Sequence, residues 1–182
     1  MENVNLSKFS KLNNTIDYDT LLKHLNPVNK FSNGEINFNK LSYKNVRRCL
    51  HLIRDLATWD NVKDLYCIAF EISEEQFWKQ PITSYYAAQN YLVKAFTDLQ
   101  ERESKLLSSI GVNSILWESA GGKRLDKFSN LMPLIQLGEI YGVYPYELQN
   151  RPYNEILTLL VLHKEKSEVN TEYQKIMSKQ KI

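Results

Sequence analysis

Hydrolytic or transfer chemistry needs a base held beside a nucleophile, and the residues able to serve are scattered in this chain. His24, His51 and His163 stand far apart, each among lysines or arginines and without an adjoining serine or carboxylate signature. A catalytic triad has no support in this spacing. The run Gly121-Gly122-Lys123-Arg124 has the outline of a phosphate loop, but that loop requires glycine where Trp117 stands and serine or threonine where Arg124 stands. Glu74-Glu75 opens a short helix, and Glu101 and Glu103, two apart on a helix, point in different directions. Cys49 and Cys67 sit among apolar neighbours with no CxxC or Cys/His spacing, so the expectation is two buried, reduced thiols and no metal. The chain is therefore expected to be non-enzymatic, without catalytic residues, cofactor or metal, and to work by binding or assembly.

The elements that must position its surfaces are announced by a pattern written twice, 71 positions apart. FEISEEQFWKQPI, from Phe70 to Ile82, aligns without a gap on YGVYPYELQNRPY, from Tyr141 to Tyr153. Phe70 falls on Tyr141, Ile72 on Val143, Phe77 on Leu148, Pro81 on Pro152 and Ile82 on Tyr153. In each copy a helix ends, polar residues turn the chain, a short segment carries a large anchor, and proline opens the next helix. Proline suits a first helical turn because its missing N–H is not needed there and its φ is already helical. Phe77, Trp78, Pro81, Leu148 and Pro152 are the structural anchors of this reading, and the segments Leu65–Tyr91 and Gln136–Leu162 are expected to share one arrangement.

The fold class that follows is all-α, with two related helical subdomains of helix, turn, short helix and helix. A polar N-terminal segment over 1–39 carries a short helix from Ile16 to Leu25 and, at Asn33-Gly34, positive φ angles suited to a small β-hairpin. The first subdomain spans 40–111. Ser42 caps a helix with apolar positions Tyr43, Val46, Leu50, Ile53 and Ala57, and its opposite face carries Lys44, Arg47, Arg48, His51 and Arg54. Asp60 caps the next helix, and Ser73 with Gln76 makes a capping box for a short turn in which Phe77 and Trp78 wedge inward. From Pro81 a helix runs to Ile110, with Gly111 as its stop. An irregular connector covers 112–132. The second subdomain covers 133–166, where Pro133, Pro145 and Pro152 open helices and the last packs Ile156, Leu157, Leu159, Leu160 and Leu162. A polar tail occupies 167–182.

Composition narrows the class. A chain of 182 residues with 43% hydrophobic and 24% charged side chains can bury about 70% of its extended surface without an external staple. No apolar run approaches the roughly 18 residues of a membrane span, and the opening MENVNLSKFSKLNN is too polar for a signal peptide. A cytoplasmic protein is expected. The net charge of +2 comes from the segment after Leu162, which holds five lysines against three glutamates. A neutral body with a mildly basic tail does not suit a polyphosphate backbone, so no specific nucleic acid is expected.

From Lys40 to Leu107 the order of features resembles the small helical tail-assembly chaperones of tailed bacteriophages. The resemblance is carried by Leu41-Ser42-Tyr43 leading an amphipathic helix, a second helix ending in FEISEEQFWKQP, and a long helix after it. The stretch from Pro133 to Lys166 is similar to the same phrase. The polar N-terminal segment has no counterpart in that pattern, and the chain is longer than many such proteins. What the resemblance implies is a protein that shelters another phage structural protein, such as a tape-measure or tail protein, in the host cytoplasm. The partner surface is expected on the exposed part of the long helix, at Leu92, Phe96, Leu99, Leu106 and Ile110, helped by Tyr173, Ile176 and Met177 of the tail. A head–tail connector or ring subunit of the virion and a nucleic-acid-binding regulator are the alternatives. The oligomeric state is left open.

Overall fold

The computed structural model describes residues 4–12, 20, 22, 24–108 and 118–179. It is all-α. Helix α1 (Leu6–Phe9) is capped by Asn5, whose side chain accepts from the Lys8 N–H, and α2 (Tyr43–Leu52) is capped in the same way by Ser42. The next helix, α3 (Trp59–Ala69), is capped by Thr58 and not by the expected Asp60. Both side chains can cap, and the structure places Asp60 inside the first turn, where its charge favours the helix dipole and pairs with Lys63 at 3.6 Å. Ser73 and Gln76 form the expected capping box on α4 (Glu74–Lys79), with reciprocal bonds of 2.8 and 3.2 Å. Pro81 precedes α5 (Ile82–Leu107), which ends at Ser108, before the expected stop. A 3₁₀ segment (Gly122–Phe128) leads into α6 (Met132–Tyr141), α7 (Pro145–Leu148) and α8 (Tyr153–Lys179).

The tail beyond residue 166 is helical and continues α8 unbroken to Lys179. Two expectations are corrected. Leu162, expected in the core, is exposed. The Asn33-Gly34 turn is also different: Phe31 and Gly34 exchange two backbone hydrogen bonds of 3.0 Å around Ser32 and Asn33, and the positive φ is at Ser32. The pairing at this turn is a single bridge. Gly34 is needed for a different reason, since a Cβ there would lie 1.9 Å from the Phe70 carbonyl oxygen. The helix expected at Ile16–Leu25 falls largely outside the described residues, of which Thr20 and Leu22 are helical. Gly111 and the apolar residues Ile115, Leu116 and Trp117 lie outside them too.

One hydrophobic core runs through both halves of the chain, from Leu6 to Leu160. Its first centre is aromatic: the Phe31 ring lies 4.7 Å from Tyr66, 5.6 Å from Phe70 and 5.8 Å from Phe77. The buried Tyr66 hydroxyl, which needs an acceptor, donates to the Tyr85 carbonyl at 2.9 Å. The second centre joins α2 to α8 through Tyr43 stacked on Tyr153, with Phe38 bridging to Phe96 at 5.3 Å. Phe77 and Leu148 are both buried, and Trp78 packs against Phe77 and Trp59.

The same backbone bonds recur at the offset of 71. Ile72 donates to the Cys67 carbonyl and Val143 to that of Gly138; Gln80 donates to Phe77 and Arg151 to Leu148; Tyr85 donates to Pro81 and Ile156 to Pro152. The left-handed residue that ends each helix is Glu71 in one half (φ 53°) and Gly142 in the other (φ 64°). Each proline is also gripped alike. Leu6 donates to Gln80 and Ile82 to Val4, both at 3.0 Å, while Tyr43 donates to Arg151 at 2.9 Å and Tyr153 to Leu41 at 2.8 Å.

Candidate partner-binding surface

Several of the groups capable of chemistry make structural contacts. Glu103 receives both terminal nitrogens of Arg47, one at 3.0 Å and one closer, and the Tyr153 hydroxyl at 2.8 Å. Burial works against the Arg47 charge, but the Glu103 hydrogen bonds and attraction outweigh it and raise its pKa. The guanidinium also lies 4.8 Å over the Tyr43 ring, a cation–π contact. This cluster ties α2, α5 and α8 together. At the surface, Glu74 accepts from Trp78 at 3.2 Å and faces Lys63 at 3.4 Å, while Glu75 meets Lys79 at 2.5 Å. The Trp78 hydrogen bond, then Lys63, lowers the Glu74 pKa, and the hydrogen bond from Lys79 lowers that of Glu75. Burial pushes the Cys49 thiol up to about 12 and also raises Cys67. Among the described residues no three His, Cys, Asp or Glu side chains gather closely enough to hold a metal.

The sequence reading puts a partner on the long seam of α5, but three of the five residues named there are not open to one. Leu92, Phe96 and Leu99 are buried in the chain's own core. The reason is that Phe38 seats edge-on against Phe96, and α8 lies against α5, with Arg102 bonded to Asn154 at 2.6 Å and Lys164 to the Leu106 carbonyl at 3.0 Å. Only the first part of α8 makes these contacts, and it makes them near the C-terminal end of α5. Leu106 is exposed, at the mouth of a groove of about 320 Å³ shared with Leu157 and Val161. Ile110 lies outside the described residues.

The open apolar surface is further along the chain. Nine of the fifteen exposed large apolar side chains among the described residues lie between Ile140 and Met177, which concentrates the sticky surface on α6, α7 and α8. From Ser167 onward every described residue of α8 is exposed, Tyr173, Ile176 and Met177 among them. Hydrogen bonds there are local: Thr171 to Ser167, Lys175 to Glu172 and Ser178 to Lys175. Leu162, Val169, Tyr173 and Ile176 step by seven, four and three, a narrow stripe of coiled-coil spacing. At 3.6 residues per turn that stripe lies roughly opposite Ile156 and Leu160, which face the core.

A corner missed in the sequence adjoins it. Ile140, Tyr141, Tyr144 and Tyr146 are exposed where α6 turns into α7, and the Tyr144 and Tyr146 rings lie 5.3 Å apart. The signal was available in the doubled pattern, because the counterparts of Ile140 and Tyr141 are Ala69 and Phe70, both buried. The basic face of α2 lines a groove of about 260 Å³ with Lys44, Arg47, Arg48 and His51. Arg48 pairs there with Asp64 at 3.0 Å. No described helix is long and apolar enough to cross a membrane. Compared with family models, curated proteins and solved structures, the chain matches none.

Proposed function

We propose that this chain is a non-enzymatic assembly protein made of two related helical units, which shelters a tape-measure or tail protein of a bacteriophage in the host cytoplasm. The phage setting rests on the resemblance of residues 40–107 to tail-assembly chaperones. The recurrence of backbone bonds at one offset supports the two related units. The observation that carries the binding role is the outer part of α8, an exposed helix with Val169, Tyr173 and Ile176 on one stripe. An amphipathic helix of this kind lays its apolar face into a groove of its partner.

Co-expression with each neighbouring structural gene tests the role. The client stays soluble beside the wild-type chain and precipitates beside Tyr173→Glu with Ile176→Glu, a variant that keeps the wild-type melting temperature because both side chains are exposed. Absence of any rescued neighbour, with the protein recovered as a closed ring in virions, replaces the chaperone by the connector. The exposed corner at Ile140 to Tyr146 is what favours that second reading. The regulator is less well supported, since Arg47 and Arg48 are spent on Glu103 and Asp64; DNA binding that falls steeply with salt would revive it.

A further inference from the structure

The back of α8 carries a heptad pattern along most of the helix. Glu155, Leu162, Val169 and Ile176 stand seven apart, and Leu159, Lys166 and Tyr173 fall between them at steps of four and three. These are the d and a places of a coiled coil, kept for about three heptads. The seam lies roughly opposite Tyr153, Ile156, Leu157 and Leu160, which α8 buries against the rest of the chain. Leu162, Val169, Tyr173 and Ile176 are between 49% and 66% exposed, and Leu159 is partly buried. Glu155 and Thr158 are exposed too, so the seam is open beside the core as well as beyond it.

A seam of this spacing fits a helix of the same spacing, and its own arrangement selects the occupant. The apolar residues stand in two groups, Leu159 with Leu162 and Tyr173 with Ile176, on either side of Lys166 and Val169. We infer that α8 pairs antiparallel with α8 of a second copy, Leu159 on Ile176, Leu162 on Tyr173 and Lys166 on Val169, about a two-fold axis between Ser167 and Glu168. Each contact occurs twice, because exchanging the copies exchanges the two ends. The register is unique among neighbouring heptads. One heptad toward the tips, the only apolar pair left is Val169 on Tyr173, and Lys166 faces Ile176. One heptad the other way, only Leu159 on Val169 remains, with Lys166 on Leu162 and Glu155 on Tyr173.

Charge selects the antiparallel direction. In a parallel pair each a place meets itself, and the two Lys166 ammonium groups lie against each other. In the antiparallel pair each Lys166 lies opposite Val169 of the other copy, between Glu165 and Glu172, which stand four before and three after that valine on its flank. Glu165 and Glu172 of opposite copies also face each other, twice, and the lysines offset that repulsion only in part. Lys175, 3.5 Å from Glu172 within its own helix, removes some of the excess. The stripe proposed for a client is the outer part of this seam, so a client and a second copy compete for it. The pairing itself does not depend on there being a client.

Sedimentation of the full chain over a concentration series tests it. Wild-type mass rises from monomer to dimer and stops there, because a two-fold pairing uses up the seam. Leu162→Glu and Val169→Lys, both at exposed positions, stay monomeric and keep the melting temperature of the dilute wild-type chain. Glu165→Lys turns two like-charged pairs into opposite-charged ones and tightens the dimer about fivefold or more. In a parallel pair the same change sets another cation beside Lys166 and loosens it. A wild-type chain monomeric at every concentration overturns the inference, as do growth beyond the dimer, a dimer that survives Leu162→Glu and Val169→Lys, and one that Glu165→Lys loosens or leaves unmoved. If Leu162→Glu or Val169→Lys melts early, Glu165→Lys decides alone, since it only exchanges one exposed charge for another. A dimer that rescues no client leaves this inference standing and defeats the proposed function; a monomer that rescues a client does the reverse.

Discussion

Replacing Gly34 by alanine puts a methyl group where the Phe70 carbonyl oxygen lies 1.9 Å away, with the Phe70 carbonyl carbon and Cβ at 2.9 and 3.0 Å. All three belong to or adjoin the main chain, so no rotamer change makes room. Either the Phe70 peptide shifts or the turn withdraws, and withdrawal pulls Phe31 from among Tyr66, Phe70 and Phe77. Overpacking with local adjustment costs about 1–3 kcal/mol, and complete loss of a buried phenylalanine costs about 3–5 kcal/mol. A value near 3 kcal/mol lies where the two ranges meet. In a chain of this size that lowers the melting temperature by roughly 6–12 °C. Gly142→Ala is the matched control. It has nothing within 4 Å but a φ of 64°, so only the left-handed backbone penalty of about 1–2 kcal/mol applies. Urea titration followed by tryptophan fluorescence measures both. If Gly34→Ala costs no more than Gly142→Ala, the close approach of the turn to Phe70 is not the constraint described here.

Phe77→Ala removes a wholly buried ring that touches Phe31, Tyr66 and Trp78, and calorimetry should register a loss of about 3–5 kcal/mol; a melting temperature within about a degree of wild type contradicts it. Glu71→Gly relieves a left-handed glutamate and should stabilise by up to about 1 kcal/mol in the same assay, where any destabilisation would mean that its side chain contributes more than its backbone costs. Glu74 and Glu75 have lowered folded pKa values, so their stabilisation is present above the ordinary glutamate pKa and lost as pH falls through the folded values. The double change to glutamine should therefore lower the melting temperature at neutral pH and lose that effect in acid; a difference that grows on acidification reverses the sign and refutes the assignment.

What could be read from the sequence was local. The caps Ser42 and Ser73, the capping-box Gln76 and the helices begun beside Pro81 and Pro152 all depend on residues within one turn of each other. Thr58 defeated Asp60 because two capable caps stood two residues apart and only packing chooses between them. The seam of α5 was recognised as a seam, but its coverage is supplied by Phe38 and α8, which no periodicity within the helix records. Gly34 carries the same ambiguity: the letter shows that a side chain is unwanted, and only the structure says that Phe70 is the reason. The exposed stripe on α8 was legible at Tyr173, Ile176 and Met177, while the corner at Ile140 needed the two halves set side by side.

The two proline clamps are interlaced along the chain. Asn5 closes on Pro81, and Ser42, which lies inside that first loop, closes on Pro152 outside it. The order of synthesis therefore matters. When Ile82 has emerged, the first grip can form, but Tyr43 still lacks its partner and the N-terminal end of α2 waits for Tyr153. Neither half can be cut away without breaking a grip that belongs to the other, so a break in the connector would leave the second half without α2 and the first with an uncovered tyrosine. Contacts between segments this far apart are slow to form, so the closure of Ser42 on Pro152 is expected to weigh more on the folding rate than the speed at which the helices form.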